Sequence, residues 1–451
     1  MQIIIVGCGN VGSALTEQLS EEGHNVTVID KNYSNAEAVS NNYDVKGIAG
    51  NGASLAIQVE AGIEDADLMI AVTDSDELNL LCCLIAKKAG DCNTIARVRN
   101  PVYTKEIAFI KEELGLSMVI NPEHAAALEI SRLIKFPSAI KVDSFAKGRV
   151  ELLKCKISEG SFICDKTLNQ ITTSLKCDIL VCVVERANGV FIPGGNFTLK
   201  EKDIIYIVGQ PKKLNDFFKK MGMSTNRIKD TTIVGGGETT YYLAKQLLPM
   251  GIEVKIIEKD KKRCNELSEL LPQAIIIHGD GTDRGLLEEE GLPHADSFVT
   301  WTNFDEENIM LTLFAKSISN AKTITKIHRI AYDEIIDSMD LGSVLYPKNI
   351  TADYIIQYVR AMQNSIGSNV ETMYRIVQNQ VEALEFHVQK GSPLIGIPLK
   401  TLDFKDNVLI CCINRRGMII TPGGQDMLKQ GDTVVVVTNT PGFNDLHDIL
   451  K

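Results

Sequence analysis

The sequence predicts an α/β protein in which two Rossmann-like parallel-sheet domains alternate with two small α+β domains. Its 451 residues are written twice: GCGNVG at Gly7 to Gly12 returns as GGGETT at Gly235 to Thr240, and IPGG at Ile192 to Gly195 returns as TPGG at Thr421 to Gly424. The two matches, and that of Asp203 in KEKD with Asp432 in KQGD, keep nearly one register. Chance glycine motifs do not stay in step over such a distance, whereas a duplicated unit does. Each repeat also opens on alternating strand and helix patterns and closes on strand-rich runs with turn signals.

Gln2 to Val6 is a β-rich run ending in glycine, and Val11, Leu15 and Leu19 give Val11 to Ser20 helical spacing. Asn25 to Ile29 is the next strand, closed by Asp30. Val45 to Ala49, Asp67 to Val72 and Thr94 to Val98 are further strands, with helices at Leu55 to Ala61, Asp76 to Ala89 and Val102 to Leu114. The order returns from Thr231 to Ile327 and packs as a parallel sheet covered on both faces. Past Pro122 an amphipathic helix, Glu123 to Ile134, stops before Pro137. Strand-like runs at Val150 to Ile157, Ile179 to Val184 and Ile204 to Val208, around the Pro193-Gly194-Gly195 turn, predict the small domain; its second copy runs from Val381 to Val437. The expected domains are 1–121 and 229–347 (nucleotide-binding), 141–222 and 370–451 (C-terminal), joined by helical linkers 122–140 and 348–369.

The net charge of −11 and pI near 5.3, with scattered lysines and arginines, argue against nucleic-acid binding, which needs a basic stripe. No stretch approaches the roughly 20 apolar residues that span a bilayer, so a membrane role is expected to be peripheral. The N-terminus enters a strand at once, and an unexported chain is expected. The eleven cysteines form no C-x-x-C pair and include the doublets Cys82-Cys83 and Cys411-Cys412 in apolar segments, which reads as buried reduced thiols.

Gly7-x-Gly9-x-x-Gly12 follows a strand, opens a helix and precedes an acid, Asp30, at the end of the second strand: the context of a nucleotide fingerprint. Gly7 allows the tight turn, Gly9 the approach of phosphates, and Gly12 close helix packing, while Asp30 is placed to accept from ribose hydroxyls. The bland reading is a glycine turn that only packs a helix. The charge of Asp30 disfavours a 2′-phosphate, so NAD or an adenine mononucleotide is expected rather than NADP. The glycines alone do not separate a dinucleotide from ATP or ADP. Gly50-Asn51-Gly52 and Thr73-Asp74 follow the third and fourth strands at the same carboxyl edge, although ordinary turns use such residues too. Arg97 and Arg99 share one strand face by period two, suited to phosphate or acidic partners or to a solvated edge.

The second copy departs from the first. Thr240 stands at the third glycine position, where it is expected to set the helix farther from the strand, and Glu258 replaces Asp30. Thr302-Asn303 replaces Thr73-Asp74, and Lys326 and His328 replace Arg97 and Arg99. The second site is expected to differ in affinity or ligand choice, or to be an empty pseudo-site. None of the seven histidines has an acid at a catalytic spacing; His278, at a strand end, has the non-ionisable Ala49 as its counterpart in the first copy and reads as a ligand-edge residue. No Walker A lysine, nucleophile elbow or metal-ligand cluster is present, so no catalytic or metal residue is assigned. A chain that recognises a nucleotide twice without chemistry is built as a sensor.

GCGNVG with Asp30, TDSDELN at Thr73 to Asn79, and IARVRNP at Ile95 to Pro101 resemble the nucleotide-binding domain of the TrkA family, the regulatory subunits of bacterial and archaeal Trk potassium-uptake systems. VELLKCKISEG at Val150 to Gly160 and VEALEFHVQKGSPLIG at Val381 to Gly396 resemble its C-terminal domain. The family is built from two RCK (regulator of potassium conductance) units, and the resemblance covers nearly the whole chain. It implies a cytoplasmic, peripheral protein that docks on an integral membrane potassium-translocating subunit and gates it on binding NAD, NADH, ATP or ADP. Ligand residues carried over are Gly7, Cys8, Gly9, Asn10 and Val11 of the loop that closes on Gly12, with Asp30, Thr73, Asp74 and Arg97, beside which Arg99 is expected to read phosphate charge. In the second half they are Gly235, Gly236, Gly237, Glu238, Thr239 and Glu258. Assembly is implied through the nucleotide domains and the helices Glu123 to Ile134 and Ala352 to Gln363, as a homodimer or homotetramer. The rival readings are a nucleotide-sensing regulator of another cation transporter and an NAD-dependent dehydrogenase.

Overall fold

The computed structural model describes residues 1–146, 148–157, 160–177, 179–187, 189–221, 228–329, 335–336, 339–364, 370–377, 380–440, 442–443 and 445–451. Ser158 and Glu159 of the VELLKCKISEG motif, and the expected segment ends at 222 and 365–369, lie outside them.

Four sheets follow one another along the chain. β1 (Gln2–Val6), β2 (Asn25–Asp30), β3 (Lys46–Ala49), β4 (Leu68–Ala71), β5 (Asn93–Arg97) and β6 (Met118–Ile120) form a parallel sheet in the order β3-β2-β1-β4-β5-β6. β7 (Lys141–Phe145), β8 (Val150–Lys156), β9 (Leu180–Arg186), β10 (Gly189–Phe191) and β11 (Ile204–Gly209) form an antiparallel sheet in the order β10-β9-β11-β8-β7. β12 (Asp230–Val234), β13 (Glu253–Glu258), β14 (Ile275–His278), β15 (Ser297–Thr300), β16 (Lys322–Lys326) and β17 (Ser343–Leu345) repeat the first topology. β18 (Val370–Ile376), β19 (Val381–His387), β20 (Val408–Arg415), β21 (Met418–Ile420) and β22 (Thr433–Thr438) repeat the second. The fold class expected from the sequence is therefore the observed one.

The chain folds into two compact units, Met1–Ile130 with Asp230–Tyr358, and Ser131–Lys229 with Val359–Lys451. In the first unit Ile3, Ile4, Ile5 and Val6 are all buried, as in a strand covered on both faces. Helix Asn10–Glu21 buries Val11, Ala14, Leu15 and Leu19 against it. The two parallel sheets meet where Asn121 Nδ2 donates to Tyr242 Oη at 3.2 Å, His124 meets the same ring edge-on at 5.4 Å, and Tyr354 Oη donates to Glu129 at 3.3 Å.

In the second unit the two antiparallel sheets share one core. Phe145, Val150, Cys182 and Tyr206 pack in a cluster with Ile376, Val381, Ala383, Cys411 and Val437. Tyr374 Oη donates to the Ser144 carbonyl at 2.9 Å, and the Ala146 N–H donates to Glu385 at 3.0 Å. Each sheet is pinned by a matched ion pair. Arg186 grips Asp203 with two contacts of 2.7 Å, and Arg415 grips Asp432 at 2.9 and 2.7 Å. The copies differ beside the sheets: the first carries helices Leu168–Leu175 and Pro211–Lys220, and among the described residues the second carries the short 3-10 turns Leu399–Thr401 and Leu446–Ile449 in their place.

Several elements depart from the sequence reading. Helix Tyr33–Asn42 was not anticipated because only Ala36 and Val39 of it are buried, too few to set a period. The edge strands β6 and β17 are three residues each and were also missed. The expected helix Val102 to Leu114 is two, Pro101–Lys105 and Ile107–Glu113, broken at Glu106. β5 ends at Arg97, so Arg99 lies beyond the strand and the shared strand face expected for the two arginines is not formed. All eleven cysteines are free, ten of them buried. Among the described residues no helix is long and apolar enough to cross a membrane. No group of three His, Cys, Asp or Glu side chains among them is placed to hold a metal ion.

Candidate functional site

The strand order of the first parallel sheet reverses between β1 and β4, and there the carboxyl ends of the strands open into a cleft. Its volume is about 630 Å³, and Gly7, Gly9, Asp30, Asn51, Thr73 and Asp74 are among its walls. Gly7 has φ +102°, and a Cβ there would meet the Thr73 backbone nitrogen at 3.0 Å. At Gly12 an added Cβ would lie 1.8 Å from the Gly7 carbonyl oxygen, so only glycine lets the helix start this close to β1. Gly9 caps the helix without a side-chain hydrogen bond and has open space beside it, leaving the helix N-terminus bare toward the cleft.

Asp30 braces this loop. Its Oδ2 accepts from the Cys8 N–H at 2.7 Å and its Oδ1 from the Asn32 N–H at 2.8 Å. The Cys8 thiol is pushed up to about 12 by burial and by Asp30, which leaves it protonated and inert. Across the cleft, fully buried Asn79 accepts from the Thr73 N–H at 2.8 Å and donates to the carbonyls of Thr73 and Arg97 at 3.1 and 2.9 Å. Asp76 accepts from the N–H groups of Arg99 and Asn100 at 2.9 and 2.8 Å.

The structure thus brings Gly7, Gly9, Asp30, Thr73 and Asp74 to one cavity. Cys8, Asn10, Val11 and Gly12 stand behind them in the loop and helix. Arg97 and Arg99 sit one layer back, both turned on Asp74: Arg97 Nη2 is 3.2 Å from its Oδ1, and Arg99 Nη2 donates to its carbonyl at 3.2 Å. Arg99 Nη1 also lies 3.9 Å from Glu123, whose carboxyl is raised by burial and lowered in part by the two arginines. Lys31, Asn32 and Asn35 line the cleft and were not singled out from the sequence, and neither was Asn79 as a brace. The signal for Asn79 was its return as Asn308 in the same register, where it repeats the contacts to Thr302 and the Lys326 carbonyl.

The second cleft lies at the same switch point but holds about 330 Å³. Gly235, Gly236, Gly237 and Glu258 line it, with Glu258 Oε2 accepting from the Gly236 N–H at 2.6 Å. Glu238 and Thr239 open the following helix, outside the lining. Thr240 turns its hydroxyl onto the Gly235 carbonyl at 2.6 Å, a contact that a Cβ at Gly12 has no room to make. Trp301, at the place of Val72, fills part of the space. Lys326 replaces Arg97, and Asn303 stands in the sequence where the first repeat has Asp74. Lys326 stays buried, its ammonium 5.7 Å from the Trp301 ring centre, and burial drives its pKa down to about 8 against the pull of Asp305 and Glu123. His328 pairs with Asp305 at 3.2 Å, and burial lowers its pKa, which keeps the ring neutral near pH 7. His278 turns away to contact the Lys259 carbonyl at 3.2 Å.

This paired arrangement has relatives. Residues 3–122 and 231–347 each match the TrkA-N domain, and residues 154–222 and 383–451 each match the TrkA-C domain. The chain belongs to the TrkA family. A Trk system potassium uptake protein TrkA homolog of Methanosarcina mazei is 30% identical over the whole of both chains. The RCK domain of GsuK matches with a TM-score of 0.62 at 16% identity, covering 97% of this chain and 92% of its own. The GsuK channel bound to NAD matches with a TM-score of 0.61 at 16% identity, over 97% and 77%. Those two likenesses show a shared RCK fold, and the TrkA family membership rests on the TrkA-N and TrkA-C matches and the full-length relative.

Proposed function

We propose that this chain is the nucleotide-sensing regulatory subunit of a Trk-type potassium uptake system. NAD or NADH, or ATP or ADP in their place, occupies the first cleft. Gly7, Gly9, Asp30, Thr73 and Asp74 touch it, and Arg97 and Arg99 sense its charge through Asp74. The carrying observation is the bare helix N-terminus at Gly9 beside Asp30, whose carboxylate stands at the β2 edge next to an open cavity. Amide donors and a helix dipole suit a pyrophosphate, and a carboxylate suits ribose hydroxyls. NAD in the GsuK channel, which shares this fold, supports the same choice.

The partner is a membrane-embedded potassium-translocating subunit, reached by a homodimer or homotetramer of this chain at the inner face of the membrane. Nucleotides act by binding two arrangements of the assembly unequally, since only differential affinity shifts an equilibrium. Calorimetry of NAD, NADH, ATP and ADP on the intact chain and on Asp30→Ala tests the site; undiminished binding in the variant would overturn it. Recovery from membranes with a different cation transporter would overturn the partner.

A further inference from the structure

The second glycine loop carries an ion pair that the first lacks. Glu238 and Arg263 stand where the first repeat has Asn10 and Asn35. Arg263 reaches back from helix Lys261–Leu270 across the mouth of the loop: its Nε donates to the Gly236 carbonyl at 2.7 Å, and its Nη2 lies 2.9 Å from Glu238 Oε1. Nη1 donates to Glu266 at 3.1 Å. Nη2 itself is buried and, though at ion-pair distance, completes no hydrogen bond. Glu238 is the first residue of the ten-residue helix Glu238–Leu247, where the unpaired N–H groups and the positive end of the dipole lie.

A phosphate entering the second cleft needs the same two sources of positive charge that the Glu238 carboxylate already uses. The remaining walls do not help: Glu258, Asp260, Asp280 and Glu307 stand against Lys259 alone, whereas the first cleft sets Lys31 against only Asp30 and Asp74. We infer that the Glu238–Arg263 pair is a charge lock that makes the second cleft reject nucleoside di- and triphosphates, with Arg263 the phosphate-binding cation once Glu238 is neutralised. This rests on reading the clefts as nucleotide sites. It assigns the inequality of the two copies to two residues and makes phosphate charge the property they select on.

The test is calorimetric titration of ADP into the full chain carrying Asp30→Ala, which weakens the first cleft, followed by Glu238→Gln and then Glu238→Gln with Arg263→Gln. Thermal unfolding is measured on each. Glu238→Gln is expected to tighten ADP binding by about tenfold or more, and Arg263→Gln to remove the gain. Unchanged or weaker binding in Glu238→Gln would overturn the lock, since a pair that only braces the loop loosens it when broken. So would a gain that survives Arg263→Gln. Failure of the underlying nucleotide reading shows separately, as no ADP binding by the wild-type chain or undiminished binding in Asp30→Ala.

Discussion

Arg97 reaches Asp74 from inside the protein: the two are 3.2 Å apart, with the arginine side chain only 10% exposed and the aspartate open to solvent. Burial lowers the Arg97 pKa, the neighbouring Arg99 lowers it further, and Asp74 restores part of it. Asp74 therefore serves the cleft on one side and compensates a buried cation on the other. Asp74→Asn, which copies the second repeat, leaves that cation with only the more distant Glu123 to offset it, whereas Asp74→Asn with Arg97→Met removes both charges of the pair. The single variant is expected to melt about 2–4 °C below wild type and the double variant to recover most of the loss, read from a double-mutant cycle of thermal midpoints.

The glycines of the first loop separate folding from binding. A Cβ at Gly12 would lie 1.8 Å from the Gly7 carbonyl oxygen, while one at Gly9 meets nothing within 4 Å. Gly12→Ala is expected to destabilise the first parallel domain by roughly 2–4 kcal/mol. Gly9→Ala is expected to keep the wild-type unfolding curve and, on the proposed placement of the phosphates at this loop, to weaken nucleotide binding by putting a methyl in their path. Urea unfolding and calorimetry on the pair check both halves.

Lys326 makes stability depend on pH in a defined direction. Its folded pKa is near 8, below the ordinary lysine value of about 10.4. Across that window the unfolded chain binds the extra proton, so stability rises as pH climbs from about 8 to about 10 and is lowest, on this residue's account, below 8. Lys326→Met is expected to be more stable than wild type at pH 7, by on the order of 3 kcal/mol, with the difference vanishing near pH 10. Denaturant unfolding of both proteins at several pH values measures it. A difference that grew with pH would contradict the assignment.

In the small domains Asp203 and Asp432 are each 1% exposed and each receive two arginine contacts and a backbone N–H, from Lys200 and Lys429 respectively. Asp203→Ala and Asp432→Ala are each expected to cost roughly 2–4 kcal/mol, since either leaves an amide without its acceptor and a guanidinium with one backbone carbonyl, of Thr198 or Met427, but no carboxylate. Equal losses in urea unfolding would show that the two copies depend on the pair alike.

What could be read from the sequence follows the reach of each interaction. The glycine loops were legible because their chemistry is local: Gly7, Gly9, Gly12 and Asp30 form a pattern a reader can match without knowing the fold. The strands β1 and β12 were legible because burial on both faces makes a continuous apolar run. Helix Tyr33–Asn42 was not, since its contacts are mostly with solvent and its cap at Asn32 is a single side chain. The turning of Arg97 and Arg99 onto Asp74 was hidden by more than twenty intervening residues. Arg263 went unnoticed for a related reason. Thr240 stands inside the glycine motif itself, whereas Glu238 and Arg263 lie far apart in sequence and are neighbours only in the fold.

The shared core of the two small domains has a further consequence. Because Val150 and Cys182 pack with Val381 and Cys411 in one cluster, neither half of the polypeptide can be cut away without baring the apolar face of the other. The roomy cleft and the cramped one are thereby inherited as a couple: whatever number of chains assembles, the two kinds of cleft are present in equal numbers, and no cell can tune their ratio by expression. Divergence of the second copy then changes every assembly at once, which is how a single gene acquires a division of labour that otherwise requires two.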